Sequence, residues 1–146
     1  MKDQYNLKRF LDAQNEYGMY DIAMGELKSG RKRSHWIWYV FPQIKGLGFS
    51  YNSQYFGIGS IEEAKQYLEN PILRERLVKA CSLLKEQAEQ GKNMEEVLGG
   101  IDSIKVRSCL TLFDSVSPHD VFEDCLLVCY DGEKDKKTLD LLKARP

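Results

Sequence analysis

Two stretches of this chain carry the residue types from which chemistry is built. The first runs Lys28-Ser29-Gly30-Arg31-Lys32-Arg33-Ser34-His35-Trp36, enters the aromatic run Trp36-Ile37-Trp38-Tyr39-Val40-Phe41, and continues through Pro42-Gln43-Ile44-Lys45-Gly46-Leu47-Gly48-Phe49-Ser50. It sets cations beside stacking surfaces. Ammonium and guanidinium groups bind phosphate and carboxylate through charge-assisted hydrogen bonds, and indole faces hold planar groups or cations. A helix begun at Ser34 would add free N–H groups and the positive end of its dipole on the side of Lys32 and Arg33, which again favours an anion. The same residues also read as a solvated basic turn ahead of two core tryptophans. Gly46-Leu47-Gly48 permits close backbone approach, but it matches neither a phosphate-binding loop nor a dinucleotide fingerprint.

The second stretch is Ile101-Asp102-Ser103-Ile104-Lys105-Val106-Arg107-Ser108-Cys109-Leu110-Thr111-Leu112-Phe113. At about 100° per residue, Asp102 and Lys105 project into the sector of Ile101, Cys109 and Leu112, away from Ser103, Arg107 and Thr111. Two opposite charges therefore lean toward apolar neighbours. Either they form an internal ion pair, with Asp102 also helping to cap the helix, or they line a cleft as functional groups. Of the only two histidines, His119 belongs to a helix start and is expected to do no chemistry. His35, between Ser34 and Trp36, is the better acid/base candidate, with Asp102 as its partner in that role. A structural histidine remains the alternative.

Familiar mechanisms find no support. There is no G-x-S-x-G elbow and no H-E-x-x-H pair. Cys81, Cys109, Cys125 and Cys129 form no C-x-x-C pair and are expected to be reduced, packing as small hydrophobes with no metal or cofactor implied. Lys plus Arg number 21 against 22 for Asp plus Glu, so a net charge of −1 gives no overall pull toward nucleic acid. No apolar run approaches the roughly 20 residues of a membrane span, and the first residues lack a signal-peptide core. A cytoplasmic protein is expected, with no membrane partner and no nucleic-acid partner. Its oligomeric state is not legible.

These residues must be held by helices. Tyr20, Ala23, Met24 and Leu27 have the spacing of one helix face, with Gly30 placed to end it. Ser60 and Glu63 form a capping box, and Asn70-Pro71 starts a helix through Leu73, Leu77, Cys81 and Leu84 to a stop at Gly91. A further helix starts near Ile101 and another after Ser117-Pro118-His119-Asp120; a last one runs from near Asp135 through Leu139 and Leu142. The aromatic run fits a buried strand about as well as a helix, but no second strand is evident to pair with it. A helix begun by Ser34 and ended before Pro42 follows. The fold class is all-α, one domain over residues 1–146 built from about seven short helices, since 146 residues suit one core.

Gly30 to Gln43, Gly46-Leu47-Gly48, Ser50, the Asp102–Ser108 segment and Thr111-Leu112-Phe113 together make the chain resemble a bacterial family known as domain of unknown function 1810. Asp135 to Leu142 looks like that family's closing segment. The resemblance implies a compact all-helical domain and no established activity. Cys109 and Tyr39 depart from the family's usual serine and phenylalanine, so neither carries a catalytic role. A calpastatin-like label attached to some members implies a disordered inhibitor, which the aromatic core and helix caps here contradict.

The expected function is binding of a small anionic ligand, phosphate- or carboxylate-bearing, with nucleotide-like molecules among the class, in a polar-aromatic pocket. The expected contacts are Arg33, Ser34, Trp36, Trp38, Gln43, Ser50, Lys105, Arg107 and Ser108, with His35 and Asp102 as catalytic candidates. Whether any reaction follows is open. The competing reading is a non-catalytic protein–protein interaction module, which needs an exposed aromatic patch instead.

Overall fold

The computed structural model describes residues 3–145, which form ten α-helical segments. They are α1 (Lys8–Asn15), α2 (Met19–Ser29), α3 (Ile37–Val40), α4 (Tyr51–Tyr55), α5 (Ile61–Glu69), α6 (Pro71–Glu89), α7 (Met94–Leu98), α8 (Gly100–Val116), α9 (Val121–Tyr130) and α10 (Lys136–Ala144). A single 3-10 turn at Glu16–Gly18 joins α1 to α2. The all-α expectation holds. The segments outnumber the roughly seven expected by three, and two of these, α4 and α7, five residues each, are too short to show an apolar period. Among the described residues no helix is long and apolar enough to cross a membrane.

Local chemistry sets most boundaries where the sequence places them. Ser60 Oγ accepts from the Glu63 N–H, and Glu63 Oε1 accepts from the Gly59 N–H, so both halves of the box find backbone donors. Asn70 Oδ1 accepts from the N–H groups of Ile72 and Leu73, with Pro71 at the first position. Asp120 caps α9 through the Val121 N–H and is held by Ser117 Oγ and Arg74. Asp135 starts α10 through the Thr138 N–H. At the end of α2, Gly30 takes φ +88°, a left-handed backbone that favours glycine.

α8 is the axis, packed by α5, α7, α9 and α10, with α3 across its first half. Val106, Cys109, Leu110, Leu112 and Phe113 are wholly buried, as is Thr111, and Ser103 is buried as well, although helical spacing places Ser103 and Thr111 on a polar side. From Ser108 to Asp114 the helix is covered by neighbours on every side, whereas Ile101 and Ile104 near its start are exposed. Its hydroxyls bond backward along the helix instead: Ser103 to the Gly100 carbonyl, Ser108 to Ile104, Thr111 to Arg107. Rings of Phe10, Tyr67, Phe113 and Phe122 follow one another at centroid distances of 5.1, 5.3 and 5.6 Å, linking α1, α5, α8 and α9.

Two features lie beyond the sequence pattern. Arg9 on α1 is 8% exposed and pairs with the equally buried Glu63 on α5 at 2.7 Å. Its remaining donors go to the carbonyls of Tyr5, Asn6, Tyr55 and Gly57, so the buried charge is fully satisfied. Nearby, the Ile58 N–H donates to the Gln43 carbonyl and the Lys45 N–H to the Ile58 carbonyl, an isolated parallel bridge between two loops. Gly57 makes this approach possible. A Cβ there would lie 2.7 Å from the Ser53 carbonyl oxygen and 2.8 Å from Lys45 Cα.

The four cysteines are free thiols, three of them buried. Burial pushes Cys109 well up, and the bond to Cys125, then burial, does the same for Cys129.

Candidate functional site

The basic loop before α3 does receive an anion, and that anion is the chain's own. Glu26, on the last turns of α2, accepts at Oε1 from the Arg33 N–H (2.8 Å), the Ser34 N–H (2.9 Å) and the Trp36 indole N–H (2.9 Å), and at Oε2 from Ser34 Oγ (2.5 Å). Burial alone would push this carboxyl up, but those donors hold it at about 2, against an ordinary 4.5. The expected helix start is therefore corrected. Ser34 caps nothing, and α3 is a single turn beginning at Ile37, because the donors of residues 33, 34 and 36 are turned toward Glu26. Trp36 is wholly buried with its indole nitrogen satisfied, so it offers no stacking face. His35 and Arg33 are exposed beside it.

Lys32 links this loop to α8. Its ammonium, on a side chain 7% exposed, lies 2.8 Å from Asp102 Oδ2, donates to the Ser34 carbonyl, and sits 4.9 Å over the Trp36 ring. Asp102 thus has a partner the sequence did not indicate, and it makes no cap bond to α8. Lys105, one turn on, stands 3.5 Å from Asp102 Oδ1 and 4.3 Å over the Trp38 ring. Both alternatives for this pair are thereby joined: Asp102 is bound inside an ion network, while Lys105 is the member that faces an opening.

That opening is a cleft of about 250 Å³ between α3, α8, the loop around Gly48, and the start of α10. Trp38, Ile44, Leu47, Phe56, Ile101 and Ile104 supply apolar walls; Gln43, Ser53, Lys105, Ser108, Asp135 and Lys137 supply the polar groups. Gln43 is positioned by the parallel bridge through its own carbonyl and is 7% exposed, yet its Nε2 has no acceptor in the protein. A buried amide donor left unpaired costs on the order of 1–3 kcal/mol. Asp135 is committed: its Oδ2 accepts from the Thr138 N–H (3.0 Å) and Thr138 Oγ1 (2.6 Å).

Of the expected contacts, the structure gathers Trp38, Gln43, Lys105 and Ser108 around this cleft. Ser108 Oγ donates to the Ile104 carbonyl and has no base beside it. Ser34 and Trp36 serve Glu26, Arg33 and His35 are not among the lining residues, and Ser50 Oγ caps α4 by accepting from the Ser53 N–H. Arg107 faces a separate depression with Ser103 and Tyr130, and its Nη1 lies 3.6 Å from Glu133. Asp102 sits behind Lys105 and does not line the cleft, so His35 and Asp102 do not converge as an acid/base pair there. No histidine or cysteine lines it, and among the described residues no three side chains could hold a metal ion. The arrangement is equipped to bind: the ammonium groups of Lys105 and Lys137, one unpaired amide and an apolar wall.

Sequence reasoning missed Ser53, Phe56, Asp135 and Lys137. Asp135 and Lys137 lie about thirty residues beyond Lys105, and only the docking of α10 on α8, fixed by Asp135 N–H donating to Thr111 Oγ1, brings them alongside.

The same fold occurs in a solved structure. The crystal structure of the conserved hypothetical protein Rv1873 from Mycobacterium tuberculosis superposes with a TM-score of 0.91 at 39% identity, covering 97% of this chain and 99% of that one. None of the curated proteins matches the chain. A family model matches residues 4–142, and the chain belongs to the family described as Protein of unknown function (DUF1810).

Proposed function

We propose that the cleft binds a small organic anion, with Lys105 meeting its charge and the apolar wall its body. The observation that carries this reading is the Gln43 Nε2, buried at the cleft wall without an acceptor. The nitrogen is closed to solvent, and a turn of the amide toward the cleft would let a ligand oxygen or ring nitrogen satisfy it. Lys105 supports the reading because Asp102 already has Lys32 at 2.8 Å, which leaves the Lys105 ammonium, at 3.5 Å, incompletely paired. Trp38 presents an indole whose partner is that ammonium, so an anion arriving at Lys105 meets a cation held in place.

Lys105→Met tests the charge. Loss of one charged hydrogen bond should weaken a bound anion by about 1.5–3 kcal/mol, tenfold to more than a hundredfold. Stability should fall by less than about 1 kcal/mol, because Asp102 keeps Lys32 and Lys105 is a partly exposed partner. Isothermal titration of wild type and variant with anions found by screening, beside their melting temperatures, separates the two effects. Unchanged affinities in Lys105→Met would refute the reading. The interaction-module alternative would then lead; it draws on Phe49 and Tyr51, which are 92% and 75% exposed near the cleft loop.

A further inference from the structure

From size, charge and wall chemistry together we infer that the ligand of this cleft is a monoanionic carboxylate on an aromatic or branched apolar body, bearing a carbonyl or hydroxyl oxygen that accepts from Gln43, rather than a phosphate ester or nucleotide. The inference rests on the proposed reading of the cleft as an anion site.

Size limits the body. A cleft of about 250 Å³ lies just below the range of roughly 300–1,000 Å³ typical of drug-sized ligands. That is room for a ring and a short side chain. A base, a sugar and a phosphate together would extend beyond it into solvent.

Wall chemistry also favours an apolar body over a sugar. Trp38, Ile44, Leu47, Phe56 and Ile104 offer a ribose hydroxyl nothing, and the Ser108 hydroxyl is already donated to the Ile104 carbonyl at 3.1 Å, which leaves Ser53 and Gln43 as the uncommitted neutral polar groups. Hydroxyls transferred to such a surface lose their water without replacement. An aryl or branched alkyl group gains there instead.

Charge decides between carboxylate and phosphate. Lys32, Lys105 and Lys137 bring three positive charges to this region, and Asp102 and Asp135 bring two negative ones. One positive charge is left over. A carboxylate closes that balance. A phosphate dianion would leave a net negative charge in a partly apolar cleft beside the buried Asp135 carboxylate, where charge is expensive to hold. The ligand's remaining oxygen then has a defined partner in the unpaired Gln43 Nε2.

The test titrates the full chain with four probes at pH 8: phenylpyruvate, 3-phenylpropanoate, phenyl phosphate and AMP. Calorimetry gives affinities, and ¹H–¹⁵N spectra locate binding through the Trp38 indole and Gln43 amide signals. Phenylpyruvate should shift both signals and bind at least about tenfold more tightly than phenyl phosphate or AMP. Gln43→Leu should weaken phenylpyruvate several-fold and leave 3-phenylpropanoate, which lacks the 2-oxo acceptor, unchanged. Tighter binding of phenyl phosphate or AMP at those same signals would overturn this inference while leaving the anion site standing. If no probe at millimolar concentration moves either signal, both the inference and the anion site fall. Equal weakening of the two phenyl acids by Gln43→Leu would overturn the assignment of the acceptor.

Discussion

Removing Glu26 tests whether the loop before α3 is a protein-internal anion site. Glu26→Gln keeps the shape and leaves an oxygen for the Arg33, Ser34 and Trp36 N–H groups, so it removes charge assistance and, at Oε2, the acceptor of the Ser34 hydroxyl, which must turn to accept from the new amide. Charged hydrogen bonds contribute about 1.5–3 kcal/mol and neutral ones about 0.5–1.5, and Glu26 is partly solvated, so the expected loss is about 1–2 kcal/mol. Glu26→Ala goes further. It strands the indole N–H of Trp36, a side chain that is 0% exposed, and the expected loss rises to about 3–4 kcal/mol. For a chain of this size that lowers Tm by about 6–14 °C. The pH dependence has a definite sign. An unfolded glutamate takes up its proton near 4.5, whereas the folded one resists until about 2, so the charge stabilises fully above the upper value and its contribution fades as pH falls toward the lower one. Urea unfolding of wild type and Glu26→Gln at pH 7, 5 and 3 should therefore show a gap that is full at 7 and clearly smaller at 3. Added formate should restore part of the stability of Glu26→Ala by supplying the missing acceptor. A loss below about 1 kcal/mol in Glu26→Ala, or a gap in Glu26→Gln that ignores pH, would refute the reasoning. The donors of Ser34 and Trp36 would then be free for another partner.

Arg9→Met leaves the Glu63 carboxylate buried and unpaired, and should cost about 3–5 kcal/mol by urea unfolding. The double variant Arg9→Met with Glu63→Leu should recover part of that loss; a double variant as unstable as the sum of the singles would show the pair is not coupled. Gly57→Ala forces a methyl against the Ser53 carbonyl and Lys45 Cα, so a loss of about 1–3 kcal/mol is expected, with the Gln43 and Trp38 signals displaced; a neutral result would mean the loop bridge is not tight. Native protein should react with Ellman's reagent only slowly, because Cys109 and Cys129 are held as protonated thiols by burial and neighbouring sulfur, and unfolded protein should yield four thiols; rapid native reaction of several would contradict that packing.

Helix caps and stops were legible in the sequence because their physics is local. Ser60 with Glu63, Asn70 with Pro71, Asp135 with Thr138 and the left-handed Gly30 act on backbone groups within a few residues, so spacing alone locates them. The all-α class followed from the same signals and from an aromatic run with no strand to pair with. The attraction of the Ser34–Trp36 donors for an anion was also legible; which anion was not, because Glu26 reaches them across the turn that ends α2. Lys105, Trp38, Gln43 and Ser108 were picked out by residue type, and their meeting in one cleft depended on how α3, α8 and the Gln43–Ile58 bridge pack. The structure shows no ion pair or hydrogen bond between His35 and Asp102, for the same reason. Asp102 is drawn to Lys32, a charge seventy residues away in the chain, and His35 is left in solvent. Residue type determines what a group can do, but burial and partners arise from contacts between distant segments. Those contacts decided here that Lys105 faces the cleft while Lys32 is consumed within the fold.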